Sequence, residues 1–149
     1  MISLLRTNSD NPDFQNLVKL LDLYLAEKDG EEHDFYAQYN KLHKLKNVVV
    51  AYEEENPVAC GAMKEYENGV MEIKRMYTLP ESRGKGFAGK LLTELENWAK
   101  QLGYKKCILE TGKRQTEAVQ FYPNAGYKQI PNYGQYAEME NSLCFEKAI

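Results

Sequence analysis

Residues 47–79, NVVVAYEEENPVACGAMKEYENGVMEIKRMYTL, constrain the fold more than any other stretch of the chain. They contain three strand-like runs, split by a turn at Glu54–Pro57 and another at Glu67–Gly69. Connections this short leave no room for a crossover, so the runs predict an antiparallel meander. The acidic run Glu53–Glu55 then reads as a solvated turn. After the meander the apolar period changes from that of a strand to that of a helix. From Gly86 to Leu102, residues Phe87, Ala88, Leu91, Leu92, Leu95, Trp98, Ala99 and Leu102 make one broad apolar face, and Gly103 ends it. KKCILE (105–110) reads as a short buried strand, which the helix joins to the meander by a right-handed crossover.

The flanking segments complete the pattern. ISLLR (2–6) suits a short strand. From Pro12 to about Lys28, Phe14, Leu17, Leu20, Leu21 and Leu25 recur at helical spacing, with Asp10 or Asn11 as N-cap. A weaker helix is predicted over 31–45. It carries His33 and His43, which read as exposed helix histidines because neither has a carboxylate or cysteine at ligand spacing. Another helix runs from about Gln115 to Asn124, stopped at Ala125-Gly126, and strands near 127–130 and 142–147 close the chain. The order β-αα-βββ-α-β-α-ββ describes an α+β or mixed-sheet domain. At 149 residues with no linker, residues 1–149 suit one compact domain.

Charge narrows the function classes. The net charge of −3 provides no global basic field for nucleic acid or anionic lipid, so any bound anion must be held by a local site. Cys60, Cys107 and Cys144 are widely spaced, without a C-x-x-C pair. They argue against a disulfide framework or a metal site and read as buried small hydrophobes in a reducing, cytoplasmic setting. No stretch is long and apolar enough for a signal peptide core or a membrane span.

Within ESRGKGFAG (81–89), Gly84, Gly86 and Gly89 spell the dinucleotide fingerprint G-x-G-x-x-G, and Glu110 falls near the place of its ribose-binding acid. That fingerprint needs a fully buried parallel strand directly before the first glycine. Here EIKRMYTL is half polar, belongs to the antiparallel run, and is separated from Gly84 by Pro80-Glu81-Ser82-Arg83. The spacing of Glu110 is then a coincidence of strand length. The local physics survives: glycines permit close backbone approach, and a helix start offers free N–H groups and a positive dipole end. Arg83 and Lys85 add charge there. The residues by themselves leave two readings open, a pyrophosphate cradle and an exposed basic turn.

MYTLPESRGKGFAGKLL resembles the acyl-CoA-binding signature of the GNAT superfamily of N-acetyltransferases, whose Arg/Gln-x-x-Gly-x-Gly/Ala core is matched by Arg83, Gly86 and Ala88. QTEAVQFYPNAGY (115–127) resembles the family stretch Asn-x-x-Ala-x-x-Leu-Tyr-x-x-x-Gly-Phe. Ala118, Tyr122 and Gly126 match it, while Gln115, Phe121 and Tyr127 replace the asparagine, leucine and phenylalanine. The order of elements resembles that fold over nearly the whole chain. The resemblance implies a single-domain α+β fold whose mixed central sheet, flanked by helices, splays between its fourth and fifth strands. The pantetheine arm of acetyl-CoA enters that gap, where an amide chain can mimic a strand. The edge would be Met76, Tyr77 and Thr78, facing Ile108–Thr111. The pyrophosphate would lie on Arg83, Gly84, Lys85, Gly86, Phe87, Ala88 and Gly89, with Gln115 also at the cofactor.

The implied reaction is acetyl transfer from acetyl-CoA to a primary amine, of a small molecule or a protein, by direct attack. Tyr122, expected early in the last helix, takes the position of the family's general acid. A Tyr at helical spacing beside Phe121 also reads as a core aromatic, and the motif match favours the functional role. Glu72 takes that of the general base, or else is a strand carboxylate paired with Lys74 or Arg75. A backbone N–H near Met76 or Tyr77 would serve the oxyanion, and no metal is required. Tyr133 and Tyr136, in IPNYGQYAEME (130–140), fit either an amine-binding loop or a tyrosine-rich surface loop. A non-catalytic acyl-CoA sensor of the same fold is the alternative. Free edges of the meander and the final strands suggest a homodimer.

Overall fold

A computed structural model describes residues 1–32 and 44–149. Most of the weak helix expected over 31–45, with His33 and His43, lies outside the described residues. Seven strands form one sheet: β1 (Ile2–Thr7), β2 (Asn47–Glu53), β3 (Asn56–Glu67), β4 (Val70–Thr78), β5 (Lys106–Gly112), β6 (Lys128–Ile130) and β7 (Ser142–Ala148). Their order across the sheet is β1-β2-β3-β4-β5-β7-β6. The meander is antiparallel throughout, while β4 and β5 are parallel. Because β1 covers β2, that side of the meander is not a free edge, contrary to expectation. The sheet ends at β1 and β6.

Helices cover both faces, which explains the unbroken apolar run of β2. Successive side chains point to opposite faces, so both sets must be apolar. Val48 and Val50 join Cys60, Ala62 and Tyr77 under α1 (Pro12–Asp29), whose Phe14, Leu17, Val18 and Leu21 are buried. Val49 and Ala51 join Met63, Met71 and Ile73 under α2 (Phe87–Gln101), through Phe87, Leu91, Leu92, Leu95 and Ala99. Asn11 caps α1, its side chain accepting from the Phe14 N–H at 3.0 Å. The last helix, α3 (Thr116–Asn124), follows β5.

Two features of β4 shape the interior. First, β4 pairs with β5 only over Val70–Glu72 against Lys106–Ile108. Beyond that β5 stays with β7, and the sheet splays. The gap therefore opens after Ile108, one residue later than the expected Ile108–Thr111 face. Second, Cys60 pairs with Tyr77 and Ala62 with Lys74, so Gly61 faces both Arg75 and Met76 across a β-bulge. Arg75 has φ 60°, a left-handed conformation costly for any residue but glycine. The Cys60 thiol donates to the Arg75 carbonyl at 3.4 Å.

Gly61 is what allows the bulge to close. A Cβ there would lie 2.5 Å from Met76 Sδ and 3.0 Å from Leu95 Cδ1. Gly61→Ala should therefore lower stability by about 1–3 kcal/mol, the usual cost of overpacking. The expected result is a lower urea midpoint at unchanged m-value; an unshifted midpoint would mean that Met76 swings aside freely.

Candidate active site

Two cavities with shared walls lie at the splay. The larger, about 330 Å³, runs from the β4 edge to the start of α2. Met76, Tyr77 and Thr78 form its strand wall, and Arg83, Gly84, Gly86, Phe87, Ala88 and Gly89 form its loop wall. Gln115 and Tyr122 close it from α3 and the turn before it. Of the cradle residues expected from sequence, Lys85 lies outside this lining. It is half-exposed, and its ammonium sits 3.6 Å from Glu53 Oε1, because the carboxylate at the end of β2 offers a partner on the outer side of the loop.

The loop geometry follows from its glycines. Gly84 and Gly86 have φ of 80° and 85°, values that L side chains rarely adopt. A Cβ built on Gly84, Gly86 or Gly89 would meet nothing within 4 Å, so the space above the loop is open. Gly86 caps α2 without a side-chain hydrogen bond, and the first turn of α2 carries no acid. Its N–H groups and positive dipole end are thus left for an external anion. Arg83 is held in place, its Nε donating to the Thr78 carbonyl at 3.1 Å and its guanidinium 5.4 Å from the Tyr24 ring and 5.9 Å from the Tyr77 ring. These residues fit the pyrophosphate of acetyl-CoA, and the unpaired β4 edge fits its amide arm.

The smaller cavity, about 110 Å³, shares Met76, Gln115, Ala118 and Tyr122 with the larger. Glu72, Arg75, Glu110 and Tyr136 also line it. Tyr122 sits in the second half of α3, not early in it as expected, because α3 is short, Thr116–Asn124, and ends two residues after it. Its ring packs against Phe121, Tyr127 and Phe145 at 5.0, 5.8 and 6.2 Å. Its hydroxyl has no hydrogen-bond partner among the described residues. Burial, reinforced by the Glu110 charge, pushes the phenol well above its ordinary pKa, so it stays protonated at neutral pH.

Glu72 is buried and engaged. Tyr133 Oη donates to its Oε2 at 2.7 Å, and Lys74 Nζ stands 3.6 Å from its Oε1. The Lys74 pairing weighed from sequence is present; the Arg75 pairing is not, since Arg75 Nη2 donates to Asp22 Oδ1 at 2.9 Å. Arg75 Nε and Nη1 are buried without partners among the described residues. Such orphaned donors typically cost about 1–3 kcal/mol each, more when charged. Glu110, set aside as a coincidence of spacing, lines the same cavity and accepts from Ser142 Oγ at 2.8 Å. Sequence reasoning also missed Arg75, Tyr24 and Ser82. For Glu110 a signal existed: a lone carboxylate within an apolar buried strand needs a partner or a ligand. Burial raises the Cys60 and Cys107 thiols to about 12 and Cys144 to about 11, so none is a nucleophile at neutral pH. Among the described residues no group of three His, Cys, Asp or Glu could hold a metal ion, and no helix is long and apolar enough to cross a membrane.

Comparison with known proteins agrees with this geometry. Residues 14–127 match the Acetyltransferase (GNAT) family. The chain is 30% identical over 135 residues to an IAA acetyltransferase of Azospirillum brasilense, covering 89% of this chain and 88% of the relative. A crystal structure described as an acyl-CoA N-acyltransferase from Klebsiella pneumoniae subsp. pneumoniae superposes with a TM-score of 0.82 at 26% identity, over 99% of this chain and 97% of that one. The fold is shared with a GNAT acetyltransferase from Elizabethkingia anophelis solved with acetyl-CoA bound, at a TM-score of 0.71 and 17% identity over 99% and 98% of the two chains. With the glycine cradle, the splayed sheet and a family match over most of its length, the chain belongs to the GNAT family, as an N-acyltransferase whose acyl donor is acetyl-CoA.

Proposed function

We propose that this enzyme, a single domain over 1–149, transfers acetyl from acetyl-CoA to a primary amine by direct attack, with no acyl-enzyme. The observation that carries this reading is the meeting of the two cavities at Met76 and Tyr122. A donor lying in the cleft and an amine in the smaller cavity would converge there. Acetyl-CoA brings an activated thioester. The loop Arg83–Gly89 and the edge Met76–Thr78 hold and orient it, and Tyr122 keeps a proton available at its hydroxyl for the departing sulfur. A lysine-type amine is an ammonium below a pH of about 10.4, so it must lose a proton to attack. Glu72, oriented by Tyr133, takes that proton directly or through water. A backbone N–H at the bulge, near Met76 or Tyr77, donates to the developing oxyanion.

A pure acyl-CoA sensor would need only the cradle; the second cavity, with its two carboxylates, favours catalysis. A cytoplasmic location and a homodimer paired through β1 or β6 complete the reading. Thermal-shift measurements with acetyl-CoA, CoA and NAD, followed by thiol release over a panel of amines, test it. Acetyl-CoA and CoA should stabilise the protein, NAD should not, and at least one primary amine should release thiol. Glu72→Gln keeps the Tyr133 hydrogen bond but cannot accept a proton. It should lower kcat/KM about 100-fold at neutral pH, the lower end for general bases, with the acetyl-CoA shift unchanged. Unaltered turnover in that variant would assign the proton to another group.

A further inference from the structure

The direct-attack scheme leaves Arg75 without a task, although the fold commits strained backbone to its position. Its side chain is 3% exposed, while its partner Asp22 is 51% exposed, so water screens the pair. Nε and Nη1 are buried with no acceptor among the described residues. A guanidinium cannot relieve this by deprotonation, as a buried lysine can. Buried donors, charged ones above all, are paired in folded proteins. No described residue supplies an acceptor for these N–H groups, which leaves that place to a ligand.

The surroundings specify that ligand. Arg75 lines the smaller cavity together with Glu72 and Glu110, and Tyr122 lines both this cavity and the donor cleft. Carboxylates suit an amine that arrives as an ammonium; the guanidinium suits an oxyanion. A second ammonium, as in a diamine, would leave Nε and Nη1 of Arg75 without an acceptor and add like-charge repulsion. The cavity has about a third of the cleft's volume, which admits a short molecule (110 against 330 Å³). Resting on the acetyl-transfer reading, we propose that the acceptor is a small zwitterion, a primary amine carrying a carboxylate or phosphonate, whose anionic group is held by Arg75.

Matched pairs of amines decide this, with binding read by calorimetry on the full chain in the presence of CoA. Suitable pairs are 3-aminopropionate against 3-aminopropionamide and 2-aminoethylphosphonate against ethanolamine. The anionic member should bind about 10- to 100-fold more tightly, the range expected for hydrogen bonds to a charged group. Arg75→Gln should remove the preference, and Arg75→Lys should restore part of it. Equal affinity within each pair, tighter binding of the neutral member, or no binding by either in the wild-type protein would overturn the proposal. So would a preference that survives in Arg75→Gln. The wild-type comparison stands if that variant does not fold. Thiol release measured on the same panel separates the two levels. Absence of turnover with every amine would remove the acetyl-transfer reading, whereas the anion preference is read from binding alone.

Discussion

Tyr122→Phe should lower kcat about 100-fold while leaving acetyl-CoA affinity nearly intact. A general acid contributes roughly 10²- to 10⁴-fold, and a thiolate is already a fair leaving group, so the lower end applies. That factor corresponds to about 2.7 kcal/mol of transition-state stabilisation. The hydroxyl has no hydrogen-bond partner among the described residues, and the ring contacts with Phe121, Tyr127 and Phe145 are kept in the variant. Stability should therefore change by less than about 1 kcal/mol, the worth of one ordinary hydrogen bond. Because burial holds the phenol protonated, loss of its proton should not appear in the pH–kcat profile through neutral and mildly basic pH. A Phe variant with wild-type kcat, measured with an acceptor for which chemistry is rate-limiting, would show that Tyr122 is a core aromatic and nothing more.

Gly86→Val should abolish acetyl-CoA binding in a protein that still folds. At φ 85° a β-branched residue is strained, by about 1–2 kcal/mol, but its Cβ meets nothing within 4 Å, so no core contact is lost. The added methyls occupy the space through which phosphate oxygens must approach the start of α2. A ligand at 100 times its Kd stabilises by about 2.7 kcal/mol. For a domain of this size that raises Tm by roughly 5–10 °C. Wild type should show this shift and Gly86→Val should not. Gly103→Val is the control: φ is 95° at the opposite end of α2, again with nothing within 4 Å, so it carries similar strain and should keep the shift. A folded Gly86→Val protein with an undiminished shift would place the phosphates elsewhere.

The sequence by itself determined the elements whose evidence is local. Alternation and short turns identified β2–β4 as an antiparallel meander, and a continuous apolar face identified α2 and the glycine loop ahead of it. Both signals arise within a few residues of each other, where periodicity reports directly which side chains share a face. The buried cysteines were legible for the same reason. Tertiary structure alone decided the site's detail. The bulge at Arg75 exists because Gly61, on the neighbouring strand, leaves room for Met76. Lys85 turns outward because Glu53, far away in sequence, comes beside it. Glu110 passed for an accident of spacing until the fold placed it in the wall of the same cavity as Glu72, and Tyr133 reached Glu72 only through the fold of the last connection. Such partnerships depend on which strands become neighbours and on where charge is left uncompensated, and neither has a period that a linear pattern can carry.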